Sequence, residues 1–267
     1  MVKKLFQMVG KEIKGLHEAA YLLAFFAFLS QILALVRDKM LAYKFGADYI
    51  LDVYYLSFRI PDLIFVSIAS VASASVLVPF FIERYNSDPD KGRKFIDSVF
   101  SVFFIAIIIV SVVVYFFIPE IITILVPGFK TDKSLPELIQ ATRILLLSPI
   151  FLGLSNFFSS ITQMHKRFLI YAISPILYNV GIIIGIIFIY PILGLNGLIL
   201  GVVLGAFMHM AVQIPFIMHK ESFPRLSIKV DWADIRQVVR ISLPRTLTLS
   251  SNQLASFFLI SLASFMS

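Results

Sequence analysis

The stretch Ser30–Ser75, SQILALVRDKMLAYKFGADYILDVYYLSFRIPDLIFVSIASVASAS, decides how this chain is built. It reads as the end of one membrane helix, a break at Phe45–Gly46–Ala47, and the start of the next. Arg37, Asp38, Asp52, Arg59 and Asp62 interrupt otherwise apolar sequence. Charge at membrane depth is costly, so each of these groups needs a partner, water or a task.

The rest of the chain fits a scaffold around that stretch. Of 267 residues, 59% are hydrophobic and 15% charged, with a mean hydropathy of +0.91. Soluble domains are about half apolar and about a quarter charged. The apolar residues also come in long blocks, so the chain is an all-α polytopic membrane protein. A span needs about 20 apolar residues. Candidates run from Ala19 to Tyr43, Ile50 to Ile82, Phe95 to Val126, Leu135 to Met164, Phe168 to Tyr190, Leu198 to Met218, and Ile235 onward. Pro61 and Pro79 are expected to bend or stop the second, and Pro149 lies inside the fourth.

There is no cysteine, which excludes disulfides and thiolate metal sites. The net charge of +7 resides in loops, with no basic, aromatic-rich patch clear of the bilayer, so nucleic acid is not an expected partner. The N-terminus, the 83–94 loop, the 165–167 turn and the 219–236 connection hold fourteen Lys and Arg. The opposite loops hold three: Lys44, Lys130 and Lys133. The bias puts the N-terminus in the cytoplasm. No small-residue cleavage site precedes the first apolar run, so the N-terminus reads as retained. The last run reaches Ser267 with no charged anchor behind it, which reads as a longer protein cut after its first seven spans.

Two turns of helix separate Ser30 from Arg37 and put them on one face, with Asp38 one step round. Asp52 and Arg59 are spaced likewise; Asp62, Ser70 and Ser73 continue that stripe. A guanidinium fork suits phosphate, so Arg37 in a cavity would suit a diphosphate headgroup. The alternative is that Arg37, Lys39 and Lys44 snorkel to the interface. Arg59 and Asp62 are either part of a site or a structural i,i+3 pair. The small-residue run Ser67–Ser75 is read as packing, with a water-lined wall as the sharper alternative. Gly181, Gly185, Gly197, Gly201 and Gly205 have the spacing that lets helix backbones approach. His209 is the one histidine within a span and reads as packed or hydrogen-bonded, not as a metal ligand. Asn156, Asn179, Asn252 and Gln253 read as interhelical hydrogen-bonding groups. No P-loop, GxSxG, HExxH or catalytic carboxylate pair is present, which disfavours an enzyme, and nothing calls for a cofactor or metal.

The pattern Ser30-x6-Arg37–Asp38, Phe45–Gly46, Asp52-x8-Pro61 and Val78–Pro79 resembles the start of the MurJ/MviN lipid II flippase family. That family belongs to the multidrug/oligosaccharidyl-lipid/polysaccharide exporter superfamily. The likeness continues at Pro127–Gly128–Phe129, at Lys166–Arg167–Phe168, Pro175 and Asn179, and at Pro244 and Asn252–Gln253. It implies a MATE-like transporter fold: a six-helix N-lobe plus the first helix of a C-lobe, out of fourteen spans. The segments would be a cytoplasmic 1–18, an N-lobe 19–218, a connection 219–234 and the C-lobe helix 235–267. It also implies alternating access around a central cationic cavity, and lipid II or a similar lipid-linked diphosphate glycan as partner, beside membrane lipids and the missing C-lobe. Ser30, Arg37, Asp38 and Asp52 match the family pattern; Gln31, Phe65 and Ser70 stand where it has charged residues, and Leu259 where it sometimes has an acid. The candidate substrate-binding set is therefore Ser30, Arg37, Asp38 and Asp52, with Arg59 and Asp62 undecided. The alternatives are an exporter of another lipid-linked polysaccharide, a cation-coupled drug antiporter, or a non-transporting membrane scaffold.

Overall fold

The computed structural model describes residues 15–46, 48–69, 73–126, 134–219 and 223–263. The basic N-terminal residues, Ala47, Ser70, Pro127–Gly128–Phe129, Lys130, Lys133 and Lys220 lie outside them. Twelve α-helices are defined among the described residues. They are α1 Leu16–Phe45, α2 Tyr49–Ser57, α3 Arg59–Ala69, α4 Ala74–Ser87, α5 Pro89–Leu125 and α6 Leu135–Leu145. They continue with α7 Leu147–Met164, α8 Phe168–Ile184, α9 Tyr190–Leu193, α10 Leu195–Ala211, α11 Ile214–His219 and α12 Trp232–Ala263.

The expected break after the first helix is present. Gly46 closes α1 with φ +59°, a conformation that disfavours a side chain, and its N–H donates to the Ala42 carbonyl at 2.8 Å. Asp48 then caps α2 by accepting from the Tyr49 N–H at 2.7 Å.

The second span is not one helix but three: α2, α3 and α4. The fourth apolar run is likewise divided into α6 and α7. In both runs the first helix ends four residues before a proline: Ser57 before Pro61, Leu145 before Pro149. A proline ring presses on the carbonyl of residue i−4 and donates no hydrogen bond to it, so that carbonyl becomes the last of its helix. Pro79 behaves differently and stays inside α4. The residue it crowds, Ser75, already belongs to the first turn of that helix.

Five segments among the described residues are long and apolar enough to cross a membrane: His17–Phe45, Pro89–Leu125, Leu135–Met164, Phe168–Leu193 and Leu195–Met218. The 49–87 stretch is not among them. The 32-residue α12 is long enough, but Asn252, Gln253 and the neighbouring serines dilute its apolar character.

The glycine spacing governs how α8 meets α10. A Cβ on Gly185 would sit 2.5 Å from the Cα of Gly201, and one on Gly181 would strike Gly205. A five-residue π turn, 185–189, extends α8 and lays the Ile189 carbonyl against Gly197. These backbones touch because no side chain separates them, as the small-residue reading expected.

The core has two parts. One gathers Leu145, Ile182, Leu198 and Val202 where α6, α8 and α10 converge. The other is aromatic, with Phe95, Phe100, Phe103 and Phe157 on α5 and α7. His209 is hydrogen-bonded, as expected: the Ser155 hydroxyl lies 2.6 Å from its Nδ1. Gln213 accepts from Ser159 at 3.1 Å and closes this network between α7 and the end of α10. The run 67–75 serves packing in part. Ser67 is hydrogen-bonded to Ser250 of α12 at 3.2 Å, and Ser75 accepts from Arg245 at 2.6 Å.

Candidate functional site

A cavity of about 220 Å³ opens between α1, α2, α3 and α8. Arg37 and Asp38 come to it from α1, Tyr54 and Tyr55 from α2, Arg59 and Asp62 from α3, and Tyr178 from α8. The proline break between α2 and α3 re-aims the chain at Phe58, so Arg59 and Asp62 start a new helix beside the α1 charges. Four of the six candidate residues thus share one wall.

Arg37 faces this cavity and is firmly held. Its Nε donates to Asp38 Oδ1 at 2.9 Å, and its Nη2 forms an ion pair with the same oxygen at 2.8 Å. Its Nη1 donates to Asn179 Oδ1 on α8 at 2.8 Å. The Asn179 amide in turn donates to the Ser30 hydroxyl at 3.3 Å and to the Pro175 carbonyl at 3.1 Å. Ser30 therefore belongs to the network through Asn179, not through direct contact with Arg37. Two hydrogen bonds and one ion pair hold Arg37, and its outer nitrogens keep N–H donors for a ligand.

Arg59 is different. Its Nε is buried without a hydrogen-bond partner, and no ion pair joins it to Asp62. The two charges do not meet in a direct ion pair, although Asp62 feels the charge of Arg59. Asp52 stands apart: it is exposed in the first turn of α2 and does not line the cavity. The helix break between Ser57 and Arg59 interrupts the stripe that spacing drew from Asp52 to Asp62.

Lys44 does not snorkel freely. Its Nζ donates to the Ile186 carbonyl at 2.7 Å and sits 4.7 Å from the Tyr190 ring centre. The resemblance implied a cationic cavity; the described wall carries two arginines and two aspartates. The departures from the family pattern have visible places. Gln31 is exposed on α1, and Phe65 packs near Pro61 and Pro149.

Sequence reasoning listed Asn179 as an interhelical hydrogen-bonding group and as part of the family likeness, not as a site residue. It is that, and it also sets the rotamer of Arg37. The tyrosines Tyr54, Tyr55 and Tyr178 carried no sequence signal, since aromatic residues are frequent throughout the spans. Chemically, the wall offers guanidinium donors, phenol groups and two carboxylates around a space that admits a small polar group.

Comparison with known proteins identifies the relatives of this arrangement. The family described as lipid II flippase MurJ matches residues 41–267. A lipid II flippase MurJ of Burkholderia cenocepacia is 26% identical over 247 residues, covering 90% of this chain and 48% of that protein. A solved structure of lipid II flippase MurJ in an inward closed conformation superimposes with a TM-score of 0.75 at 24% identity, over 92% of this chain and 51% of that one. An outward-facing multidrug resistance MATE family transporter of the MOP superfamily gives 0.66 at 14% identity, over 95% and 56%. The fold is thus that of MATE-like transporters, and the chain spans about half the length of the curated relatives it matches. With the family pattern matched over 41–267, this chain belongs to the MurJ lipid II flippase family, a family of membrane transporters.

Proposed function

We propose that this chain is the first lobe, with the first helix of the second, of a flippase that moves a lipid-linked diphosphate glycan, lipid II, across a bacterial cytoplasmic membrane. The observation that carries the reading is a single cavity wall on which a braced Arg37 stands beside an uncommitted Arg59. A diphosphate offers acceptors to both, and guanidinium forks suit it. Residues 1–18 would lie in the cytoplasm, 19–218 would form the N-lobe, 219–234 the connection and 235–267 the opening of the C-lobe. Lobe rocking around the site then exposes the headgroup to each side in turn.

In this reading Ser30 and Asn179 orient Arg37, Asp38 holds its plane, and Asp62 limits how far the phosphates advance toward α3. The test is complementation: Arg37→Ala, expressed normally, fails to support growth of a strain depleted of its lipid II flippase. Full growth overturns the assignment.

A second reading is favoured by the balanced charge of the wall and by uncharged Gln31 and Phe65. It is an exporter of another lipid-linked polysaccharide unit. Rescue of a strain lacking such an exporter, without rescue of the lipid II flippase strain, selects it.

A further inference from the structure

A second cavity lies on the flank of the bundle, between the second half of α5 and the α6–α7 pair. Its volume is about 990 Å³. Tyr115, Phe116, Leu135 and Ile139 form its walls, and Phe116 at its mouth is 68% exposed. On a membrane-spanning helix such a mouth opens onto acyl chains. The groove sits toward the end of α5 remote from Arg84 and Asp234.

Two polar atoms in this groove, Arg143 Nε and Ser111 Oγ, have no hydrogen-bond partner among the described residues. Among the described residues Arg143 is the one charged side chain lining it. Its Nε is buried without a hydrogen bond, and it makes no ion pair. Its one recorded contact is the Tyr115 ring, 4.9 Å from the guanidinium carbon to the ring centre. Ser111, 4% exposed, turns a buried hydroxyl without a partner into the same groove.

We propose that this groove binds one anionic phospholipid, with its phosphate on Arg143 and an acyl chain along the apolar walls. A cation facing hydrocarbon needs an anion or water, and the described residues lining the groove include no carboxylate. Its sideways mouth opens where phospholipid is the ambient solvent. A partner membrane helix is a poorer occupant, because close helix contacts favour small residues and these walls carry large rings. The site is separate from the central cavity and does not depend on the substrate assigned there.

Native mass spectrometry of the purified protein tests this, with phosphatidylglycerol and phosphatidylcholine of identical acyl chains titrated in detergent. Wild type retains phosphatidylglycerol about tenfold better, the scale of one charge-assisted hydrogen bond. Arg143→Gln removes the preference and Arg143→Lys keeps most of it. Ile139→Trp, which fills the groove, weakens both lipids. Equal retention of the two lipids by wild type overturns the proposal, and that comparison needs no variant to fold. So does a preference undiminished in Arg143→Gln, or displacement of phosphatidylglycerol by equimolar undecaprenyl phosphate, which would make the groove a prenyl-tail site.

Discussion

Two charged clusters, built from the same residue types, differ in how completely they are satisfied. At the end of the bundle where α4 meets α5, Arg84 pairs with Asp234 and donates to Gln237 at 3.1 Å. Its guanidinium also lies over the rings of Phe80 and Phe95, at 5.2 and 5.0 Å. Next to it Arg93 bonds Asp97 at 3.3 Å and the Phe223 carbonyl at 2.8 Å, while Asp97 accepts from the Arg225 backbone at 2.8 Å. Together with Ser101, which accepts from the Ser227 backbone at 2.8 Å, these groups strap the 223–234 connection onto α5. In the central cavity, by contrast, Arg37 is partly committed and Arg59 is not committed at all. The first cluster spends its charges on protein partners that tie α4, α5 and α12 together, so its work is structural. The unsaturated one holds donors in a space with room for acceptors.

The largest expected effect on stability is therefore at Arg84. Arg84→Ala leaves the Asp234 carboxylate, 15% exposed, without its cation. Breaking a largely buried pair costs about 3–5 kcal/mol. Thermal unfolding of the purified protein in detergent should show a large drop. Arg84→Ala combined with Asp234→Ala should recover part of it. A drop no larger than that of Arg59→Gln would erase the distinction between the clusters.

Arg37→Ala should fall between the extremes. It removes the bond to Asn179 and the tie to Asp38, whose side chain is half exposed and so contributes little. The expected loss is about 1–2 kcal/mol, with complementation abolished. Asn179→Ala should cost about 1 kcal/mol and reduce complementation only in part, because it frees Arg37 to wander without removing its charge. If Asn179→Ala abolishes growth as fully as Arg37→Ala does, with normal expression, then the amide itself contacts the substrate.

The sequence made the helical scaffold legible because its signals are local. Gly46 ends α1 where the break was read, and the five glycines of α8 and α10 meet as their spacing required. Proline breaks were only half legible. Pro61 and Pro149 each terminate a helix at their i−4 residue, whereas Pro119, Pro175 and Pro244 remain inside continuous helices. Hydrogen bonds and neighbours beyond the local sequence decide which prolines break a membrane helix. For the site, Arg37, Asp38, Arg59 and Asp62 were found because each is an anomaly in apolar sequence. Asp52 looked equivalent, yet the break at Phe58 leaves it outside the cavity. Which arginine is free could not be read, since Arg37 is occupied by Asn179, 142 positions away along the chain.

The smallest effect on stability and one of the largest on function should coincide at Arg59. Among the described residues Arg59 makes no hydrogen bond and no direct ion pair, and its one electrostatic tie is to Asp62 nearby. It does carry the cost of desolvating its charge. Arg59→Gln should thus leave the unfolding midpoint within about 0.5 kcal/mol of wild type, or raise it. If Arg59 is the second phosphate ligand, the same substitution abolishes complementation. Arg59→Lys should restore it only in part, since an ammonium keeps the charge but not the planar fork. Unchanged growth in Arg59→Gln would reduce the site to Arg37 alone, and the contrast between a saturated and a waiting cluster would then be one of packing rather than of function.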